Sequence, residues 1–293
     1  MANLKEIRNR ITSVGSTMQI TSAMKMVSAA KLKRAQDAIT QMRPYANKLT
    51  ELLVNLSSSL DSAECGEFSS ERVINNVLLV PITSNRGLCG GFNANIIKQT
   101  TALIREDFAG KNVSILSIGK KSSEYFKNNN YNVVSIHDEI YGDLNYESIS
   151  NISESIMQDY LDLKYDKVIL VYNQFKNAAT QNVMREDYLP VESPNDDNAS
   201  IGDYIFEPQK KEIIEQLIPK SLKTQLFKAV LDSHASEHGA RMTAMHKATD
   251  NASELKKDLT LSYNKARQAA ITAEILEIAV SYTHLTLPTN REV

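Results

Sequence analysis

The sequence predicts an α/β protein in which two long terminal helices flank a domain of alternating strands and helices. Apolar residues at heptad spacing run through residues 1–60, and the same spacing returns over 207–280. Between them, residues 73–203 alternate short apolar runs with helical stretches. Because a heptad seam must be covered by a partner helix, we expect the two terminal helices to form a long antiparallel coiled coil.

Composition is typical of a soluble protein: 42% of the 293 residues are hydrophobic and 23% are charged. No stretch approaches the roughly 18 consecutive apolar residues of a membrane span, and the first residues lack the apolar core of a signal peptide. Two cysteines, Cys65 and Cys89, suit a reducing compartment and have no metal-binding spacing. We therefore expect a cytosolic protein.

Charge is distributed unevenly along the chain. Residues 1–50 contain nine Lys and Arg against Glu6 and Asp37, a net charge of +7, whereas the whole chain carries −2. The remainder must therefore carry −9. This asymmetry is compatible with an electrostatic partner surface on the first helix, although a solvated helix face is the simpler interpretation.

The N-terminal helix is predicted over residues 1–60. Its seam begins with Leu4, Ile7, Ile11, Val14 and Met18, which alternate by three and four. After Ile20 we expect the phase to shift, through Met24 and Val27, and to resume at Ala35. Pro44 should kink the helix.

The middle of the chain predicts a Rossmann-like, mostly parallel α/β domain over residues 73–203. Apolar runs indicate strands at 77–82, 113–118, 133–136 and 167–172, and residues 180–188 indicate an antiparallel edge strand. Helical stretches separate the first four strands, as expected for βαβ units. Residues 191–203 are an acidic, turn-rich connector.

The C-terminal helix is predicted over residues 207–280, with an interruption at Pro219. Eleven seam positions alternate by three and four without a slip: Met245, Ala248, Ala252, Leu255, Leu259, Ser262, Ala266, Ala269, Ala273, Leu276 and Val280. Many are small, which allows close approach of the partner helix. Residues 281–293 contain poor helix formers and Pro288, so we expect a disordered or poorly packed tail of foreign origin.

Four residues in the turn after the first strand, Gly87, Cys89, Gly90 and Gly91, lie where a dinucleotide-binding loop would be found. Backbone N–H groups at such a helix N-terminus attract phosphate. However, the spacing is neither GxGxxG nor GxxxxGK[ST], and no acidic residue ends the second strand. We interpret these residues as a structural turn. A nucleotide-binding enzyme with a coiled-coil dimerisation arm is the alternative hypothesis.

Other chemistry-bearing residues form no recognisable catalytic set. His234 and His238 lie one helical turn apart, as metal ligands can, but a polar patch in the seam explains them better. Cys89 has no assignable His or Asn partner. The basic residues of 25–34 are interleaved with seam residues rather than aromatic ones, which disfavours nucleic-acid binding. The sequence thus predicts no catalytic site, cofactor or metal.

Several segments together resemble the gamma subunits of bacterial F-type ATP synthases. They are KEIRNRITSVGSTMQITSAMKMVSAAKLKRAQ near the N-terminus, SNRGLCGGFN after the first strand, YIFEP at 204–208, and GARMTAMHKATDNA followed by LTLSYNKARQAAITAEILEI. The first and last are long and specific. The resemblance covers residues 1 to about 279, and the sequence departs from the family after that point.

The resemblance implies a non-catalytic central-stalk rotor, present in one copy per complex. Its partners would be the hexameric ring of alpha and beta subunits, the epsilon subunit and the c-ring, with membrane contact only through the complex. It would couple c-ring rotation to conformational cycling of the catalytic beta subunits, at the cytoplasmic face of the bacterial inner membrane. A coiled-coil scaffold for other partners is a further alternative.

The resemblance also implies roles for individual residues. Arg267, Gln268, Thr272 and Glu274 correspond to contacts with the beta ring. The neck, where the two helices meet the lower edge of the ring, corresponds to Met24, Lys25 and Arg241. The seam pattern supports part of this, since it predicts that Arg267, Gln268 and Glu274 point outward, whereas Ala266, Ala269 and Ala273 point at the partner helix.

Overall fold

A computed structural model describes residues 4–57, 68, 72–142, 144–191 and 210–285. In chain order the elements are α1 (Leu4–Ser57), β1 (Asn76–Pro81), α2 (Phe92–Arg105), β2 (Asn112–Ile118), α3 (Lys120–Asn128), β3 (Val133–His137), a 3-10 turn (Glu139–Tyr141), α4 (Tyr146–Leu161), β4 (Lys167–Phe175), β5 (Gln181–Leu189) and α5 (Lys210–Leu285). The predicted class, two terminal helices around a mostly parallel sheet, is confirmed.

The chain divides into two compact units. The first comprises the described parts of Met1–Lys25 and Met245–Val293, and the second comprises those of Met26–Ala244. The sheet, α2, α3 and α4 all belong to the second unit. The sequence predicts a different division, into 1–60, 73–203, 207–280 and 281–293, which is based on residue patterns and stays a prediction.

Five strands form one sheet in the order β3-β2-β1-β4-β5. The first four are parallel to their neighbours, and β5 pairs antiparallel with β4 at the edge, as the sequence predicts. The central strands β1 and β4 are almost completely buried, because helices cover both faces. Strand order reverses between β1 and β4, where parallel α/β sheets have their topological switch point.

Side chains of β1 alternate between two cores. Leu78 and Val80 face a core that contains apolar residues of α4 and of α5 between Leu217 and Val230. Val77 and Leu79 face the other core, which contains Phe92 and further residues of α2. This period of two is the expected geometry of a pleated strand. The same strands are continuous apolar runs in the sequence because neither face meets water.

In the first unit, α1 and α5 run antiparallel. The hydroxyl of Thr249 on α5 donates to that of Thr21 on α1 at 2.8 Å. Further toward the start of α1, a Cβ placed on Gly15 would lie 3.8 Å from the Lys256 Nζ. Partner positions thus rise along one helix as they fall along the other, which confirms the predicted orientation.

The predicted phase shift in α1 is wrong. The seam of buried and half-buried positions continues from Met18 through Thr21, Lys25 and Ser28 to Leu32, still alternating by three and four. Val27, which the shift would place in the seam, is 58% exposed. Thr21 and Ser28 are buried despite being polar; both are small, and the Thr21 hydroxyl donates to the Met18 carbonyl within the helix.

The predicted interruption at Pro219 is also wrong, since α5 is one helix through this residue. Ile218 and Leu222 on either side are buried in the core of the sheet, so packing offsets the hydrogen bond that proline cannot donate. The same holds for Pro44 within α1, whose neighbours Ala46 and Leu49 are buried. Whether α1 bends at Pro44 stays a prediction.

At its other end α5 continues to Leu285, five residues beyond the predicted end at 280. The rest of the predicted tail, residues 286–293, lies outside the described residues. So do Cys65, the segment YIFEP and most of the connector over 191–203. None of the described helices is long and apolar enough to cross a membrane.

Candidate functional site

The turn between β1 and α2 contains the glycine-rich motif. Its entry is fixed by Asn93, whose side-chain oxygen accepts from the Ser84 N–H at 3.0 Å, while the Ser84 hydroxyl donates to the Arg86 carbonyl at 2.7 Å. Leu88 at the tip is 68% exposed and has a positive φ of 65°. Such a φ is costly for leucine, so the turn is held in shape by its surroundings.

One turn residue, Cys89, faces inward, and Gly90 next to it lies close to α5. Cys89 is buried, and this burial raises the pKa of its thiol, which opposes use as a nucleophile. Gly90 has a φ of +61°, and a Cβ there would lie 3.8 Å from the Ala244 Cβ on α5. Glycine adopts this backbone conformation without the cost that Leu88 bears. The turn therefore contacts α5 at Cys89 and Gly90, while its tip is exposed.

Arg241 on α5 binds this turn. Its guanidinium donates to the carbonyl oxygens of Gly87 and of Arg86, the latter at 3.2 Å. The same group donates to Glu237 Oε1 at 2.6 Å. Arg241 and Glu237 are only 7% and 8% exposed. Burial raises the pKa of Glu237, and the bond and charge of Arg241 act against that rise.

Three hydroxyls of the same helix reach the carboxyl ends of β1 and β4. Ser233 donates to the Ile82 carbonyl at 3.3 Å, and Ser236 donates to the Asn173 carbonyl at 2.9 Å. Thr243 donates to the Ala178 carbonyl in the β4–β5 hairpin at 3.0 Å. Ligands of doubly wound sheets bind in this crevice at the switch point. Here α5 fills it.

The neighbouring N-terminus of α3 is also occupied. Its first N–H groups, those of Lys120, Lys121 and Ser122, donate to Asn85 Oδ1, the Ser84 carbonyl and Thr83 Oγ1 at 3.0 to 3.2 Å. A Cβ on Gly119, where φ is +98°, would lie 2.1 Å from the Thr83 carbonyl oxygen. A phosphate would have to displace all three acceptors, which disfavours the nucleotide-binding alternative.

His234 and His238 form a buried pair, with 3.1 Å between their Nε2 atoms. The Tyr141 ring stacks on His234, and the Tyr141 hydroxyl donates to the Thr83 carbonyl at 2.7 Å. Burial lowers the pKa of His234 to about 4 and, together with the neighbouring His234, that of His238 to about 3. Both imidazoles are thus neutral at pH 7.

The interpretation of this histidine pair as a polar patch stays a prediction, and its surroundings bear on the alternative of a metal site. Within the described residues, no group of three or more His, Cys, Asp or Glu could hold a metal ion. The charged groups that act on the imidazoles, Lys31 and Arg241, are cationic, and they would repel a metal.

The residues that the resemblance relates to the beta ring lie near the end of α5 and are all exposed: Arg267, Gln268, Thr272 and Glu274. The Thr272 hydroxyl donates to the Gln268 carbonyl within the helix at 2.9 Å. Met24 and Lys25 on α1 are half-buried. These six residues belong to the first compact unit, whereas Arg241 and the glycine turn belong to the second.

The predicted inward orientation holds for Ala266, which is half-buried, and is wrong for Ala269 and Ala273, which are exposed. The reason is the length of α1. Gly15 lies beside Lys256, and α1 begins at Leu4, eleven residues before Gly15. In an antiparallel pair the described part of α1 therefore ends opposite Arg267. Beyond that point apolar residues such as Ile271, Ile275 and Leu276 are about half exposed or more.

Comparison with known proteins places the chain in a family. A family profile described as ATP synthase matches residues 3–284. The ATP synthase gamma chain of Christiangramia forsetii is 60% identical over 278 residues, which are 95% of this chain and 97% of the relative. That of Flavobacterium johnsoniae is 61% identical over 280 residues, with the same coverage.

The chain belongs to the ATP synthase gamma chain family. As a gamma chain it is the central-stalk rotor subunit of an F-type ATP synthase.

Solved structures agree with this assignment of the gamma chain. A chain in the central stalk and c-ring structure of the Tetrahymena thermophila mitochondrial ATP synthase is 25% identical, with a TM-score of 0.60 over 78% of this chain and 99% of that one. A chain of the Euglena gracilis mitochondrial ATP synthase is 21% identical, with a TM-score of 0.69 over 99% and 98%. The latter likeness shows the shared fold.

Sequence reasoning missed several polar residues of the gamma chain that the fold brings together. Ser233, Ser236 and Glu237 lie in a stretch whose polar residues are typical of an exposed helix. Asp232 is another: its side chain is fully buried, 3.5 Å from Arg43 on α1, and burial raises its pKa. A signal could have been the run of small residues around these polar ones, which permits close approach.

Proposed function

We propose that this gamma chain couples the rotation of a membrane-embedded c-ring to conformational cycling of the catalytic beta subunits in a bacterial ATP synthase. The observation that carries the proposal is the course of α5. A single helix of 76 residues is buried against the sheet in one part and leaves charged and apolar side chains exposed in another. A helix with this distribution can transmit rotation from an anchored domain to a second partner.

The sheet domain would be the foot of the rotor. In the resembling family this domain contacts the epsilon subunit and the c-ring, and we assign the same partners here. Membrane contact would be indirect, with the complex at the cytoplasmic face of the inner membrane and one gamma chain per complex. Rotation of the c-ring would then turn the sheet domain, and α5 with it.

The exposed end of α5 would contact the ring of alpha and beta subunits through Arg267, Gln268, Thr272 and Glu274. Their exposure in the chain alone supports this assignment, since a contact residue must be accessible before assembly. Met24 and Lys25 would contribute at the neck. Arg241 would act at the neck from inside the chain, because its guanidinium is engaged by Glu237 and by the turn.

Coupling would arise from differences in contact energy. A rotor face that binds one beta conformer more tightly than another shifts their populations as it turns. Driving such a two-state equilibrium from 1:99 to 99:1 requires about 5.5 kcal/mol of differential binding. Several charged and apolar contacts on one face can supply that. The chemistry of ATP would take place on the beta subunits, and this chain would be non-catalytic.

Co-expression with alpha and beta subunits tests the proposal. We expect the chain to co-purify in a ring complex, and we expect membranes that contain the complete enzyme to pump protons when ATP is added. Replacing Arg267, Gln268 and Glu274 together by alanine should lower the protons pumped per ATP hydrolysed. A control with Arg105→Ala and Glu106→Ala, which are exposed on the sheet domain after α2, should leave assembly with alpha and beta unchanged.

Failure of the unaltered chain to co-purify with alpha and beta would overturn the proposal in favour of a scaffold for other partners. Isothermal titration of the chain with ATP addresses the enzyme alternative. We expect no binding heat, because the switch-point crevice is filled by α5. Micromolar affinity would support a nucleotide-binding enzyme instead.

A further inference from the structure

One segment of α5, Ser233–Thr243, carries most of the polar contacts between this helix and the sheet. Ser233, Ser236, Arg241 and Thr243 all donate to main-chain carbonyls of the sheet domain. The four residues span about three helical turns and reach the end of β1, the end of β4, and the two turns that follow these strands. We call this segment the joint.

The joint differs from an ordinary apolar helix–sheet contact in being directional. Apolar burial depends on area and has no preferred direction, so it orients a helix less strictly than directed bonds do. Hydrogen bonds weaken steeply once the donor moves away from the line of the acceptor. The four donors, spread over about three turns of α5, therefore resist both rotation of this helix about its axis and translation along it.

Arg241 is the strongest donor of the joint because it is charged and reaches two carbonyls of the turn after β1. A buried guanidinium needs a counter-charge, and Glu237 supplies it from one helical turn earlier at 2.6 Å. The carboxylate also fixes the rotamer of Arg241, since it holds the Nη2 atom that faces the Arg86 carbonyl.

We propose that Glu237 is a positioning residue for torque transfer: it holds Arg241 on the turn at Arg86 and Gly87, so that the sheet domain and α5 rotate together. The inference rests on the rotor function proposed above and assigns a role to a residue that is buried within the chain itself. Without the carboxylate, Arg241 would lose its orientation, the turn would detach from α5, and part of the rotation of the sheet domain would be lost as slip.

Trypsin provides a direct measure of the joint in the assembled complex. Cleavage after Arg86 requires the protease to take up the Arg86 carbonyl, which is the group that Arg241 binds. The bond must therefore open before cleavage, and the rate reports the open fraction. We expect Glu237→Gln to speed this cleavage by about tenfold, as for loss of one charge-assisted hydrogen bond.

Glu124→Gln is the matched control. Glu124 also accepts from a basic side chain, Lys121, at 2.6 Å, but both groups are substantially exposed. The substitution is chemically identical and should leave the cleavage rate after Arg86 unchanged. Acceleration by both variants would show a general loosening of the sheet domain and would overturn the assignment to Glu237.

Proton pumping tests the function of the joint. In membranes that contain the complete enzyme, we expect Glu237→Gln to lower the protons pumped per ATP hydrolysed while hydrolysis itself continues. Glu237→Asp, which keeps the charge, should restore most of the ratio. Arg241→Lys keeps a positive charge but lacks the planar fork, and it should uncouple as Glu237→Gln does. If the Glu237→Gln chain fails to assemble, Arg241→Lys tests the same prediction, a lower number of protons pumped per ATP.

Unchanged pumping per ATP in Glu237→Gln, or an unchanged cleavage rate, would overturn the inference. Those results differ from failure of the rotor proposal itself. If the rotor proposal itself were wrong, the unaltered chain would not assemble with alpha and beta subunits. A complex that assembles and pumps normally with Glu237→Gln would retain the rotor function and remove only the role of Glu237.

Discussion

Two parts of α5 differ sharply in what surrounds them. Over residues 229–241 almost every side chain is buried, including Asp232, Glu237 and Arg241. Over residues 271–281 every side chain is exposed, including Ile275 at 60% and Leu276 at 59%. At these positions polarity and burial are inverted: the first part buries charged groups and the second exposes apolar ones.

The inversion separates contacts that the chain completes by itself from contacts that need another protein. Buried charges are tolerated only when they are paired within the fold, as Glu237 is by Arg241. Exposed apolar residues concentrated at one place mark a surface that is covered on assembly. Substitutions in the first part should therefore change the stability of the chain, and substitutions in the second should change its assembly.

The largest effect is expected at Arg241. Arg241→Met keeps most of the side-chain volume but leaves Glu237 buried without its cation, which should lower the free energy of unfolding by about 3–5 kcal/mol. Urea unfolding followed by tyrosine fluorescence measures it, since the chain has 12 Tyr and no Trp. The double variant with Glu237→Met should recover most of the loss. Arg267→Met is the exposed control and should change stability by no more than about 0.5 kcal/mol.

A smaller effect is expected from acid. In the folded chain the pKa of His234 is lowered to about 4 and that of His238 to about 3, against 6.5 in the unfolded chain. Below pH 6.5 the unfolded state therefore binds protons that the folded state excludes. Stability present above pH 6.5 is lost progressively toward pH 4, by about 2 kcal/mol per imidazole between pH 7 and pH 5.

The variant with both histidines replaced by glutamine isolates this contribution. Asp232 and Glu237 have raised pKa values and so act in the opposite direction, gaining stability as the pH falls. They are present in both proteins and cancel in the comparison. We expect the double variant to lose less stability than the parent chain between pH 7 and pH 5. Equal losses in the two proteins would mean that the imidazoles are already accessible to protons.

Ser236→Ala should have a still smaller effect. It removes the bond to the Asn173 carbonyl and leaves that buried oxygen with one acceptor position empty, for a loss of about 1–2 kcal/mol. Ser262→Ala, at an exposed position of the same helix, is the control. If both substitutions changed the urea midpoint equally, the joint would contribute nothing at this position.

The smallest effect on the chain alone is expected from the apolar part. Ile275→Ser with Leu276→Ser should change the free energy of unfolding by no more than about 0.5 kcal/mol, because both side chains are already exposed. Co-purification with alpha and beta subunits should nevertheless weaken. Loss of stability above 1 kcal/mol in the isolated chain would contradict the comparison, since it would mean that the chain itself covers these residues.

The sheet was predictable because its signal is local. Runs such as Val77–Val80 are apolar without interruption, and helical stretches of suitable length separate them, so the parallel direction of these strands follows from connection rules. The antiparallel edge at β5 was predictable for the same reason. The interruption at Pro219 was predicted wrongly because burial of its neighbours overrides the local cost of proline.

The joint was not predictable from periodicity. Hydrophobic spacing detects seams of apolar residues, and it therefore misread α1 at Thr21 and Ser28, where small polar residues occupy the seam. On α5 hydrophobic spacing does not distinguish Ser233, Glu237 and Arg241 from exposed polar residues. The partners of Ser233 and Arg241 are main-chain carbonyls that lie far away in the sequence, as for Arg241 and Gly87. Every residue has a main-chain carbonyl, so the residue type does not show which carbonyl accepts a hydrogen bond.

That choice of acceptor has a consequence for how the protein can evolve. The joint binds main-chain atoms of the sheet domain, and an exchange of side chain at Arg86, Ala178 or Asn173 removes no acceptor. A change of side chain at exposed Arg86 therefore leaves the hydrogen bonds of the joint intact as long as the backbone keeps its path. For the joint itself, the side chains that must be kept are the few donors of α5.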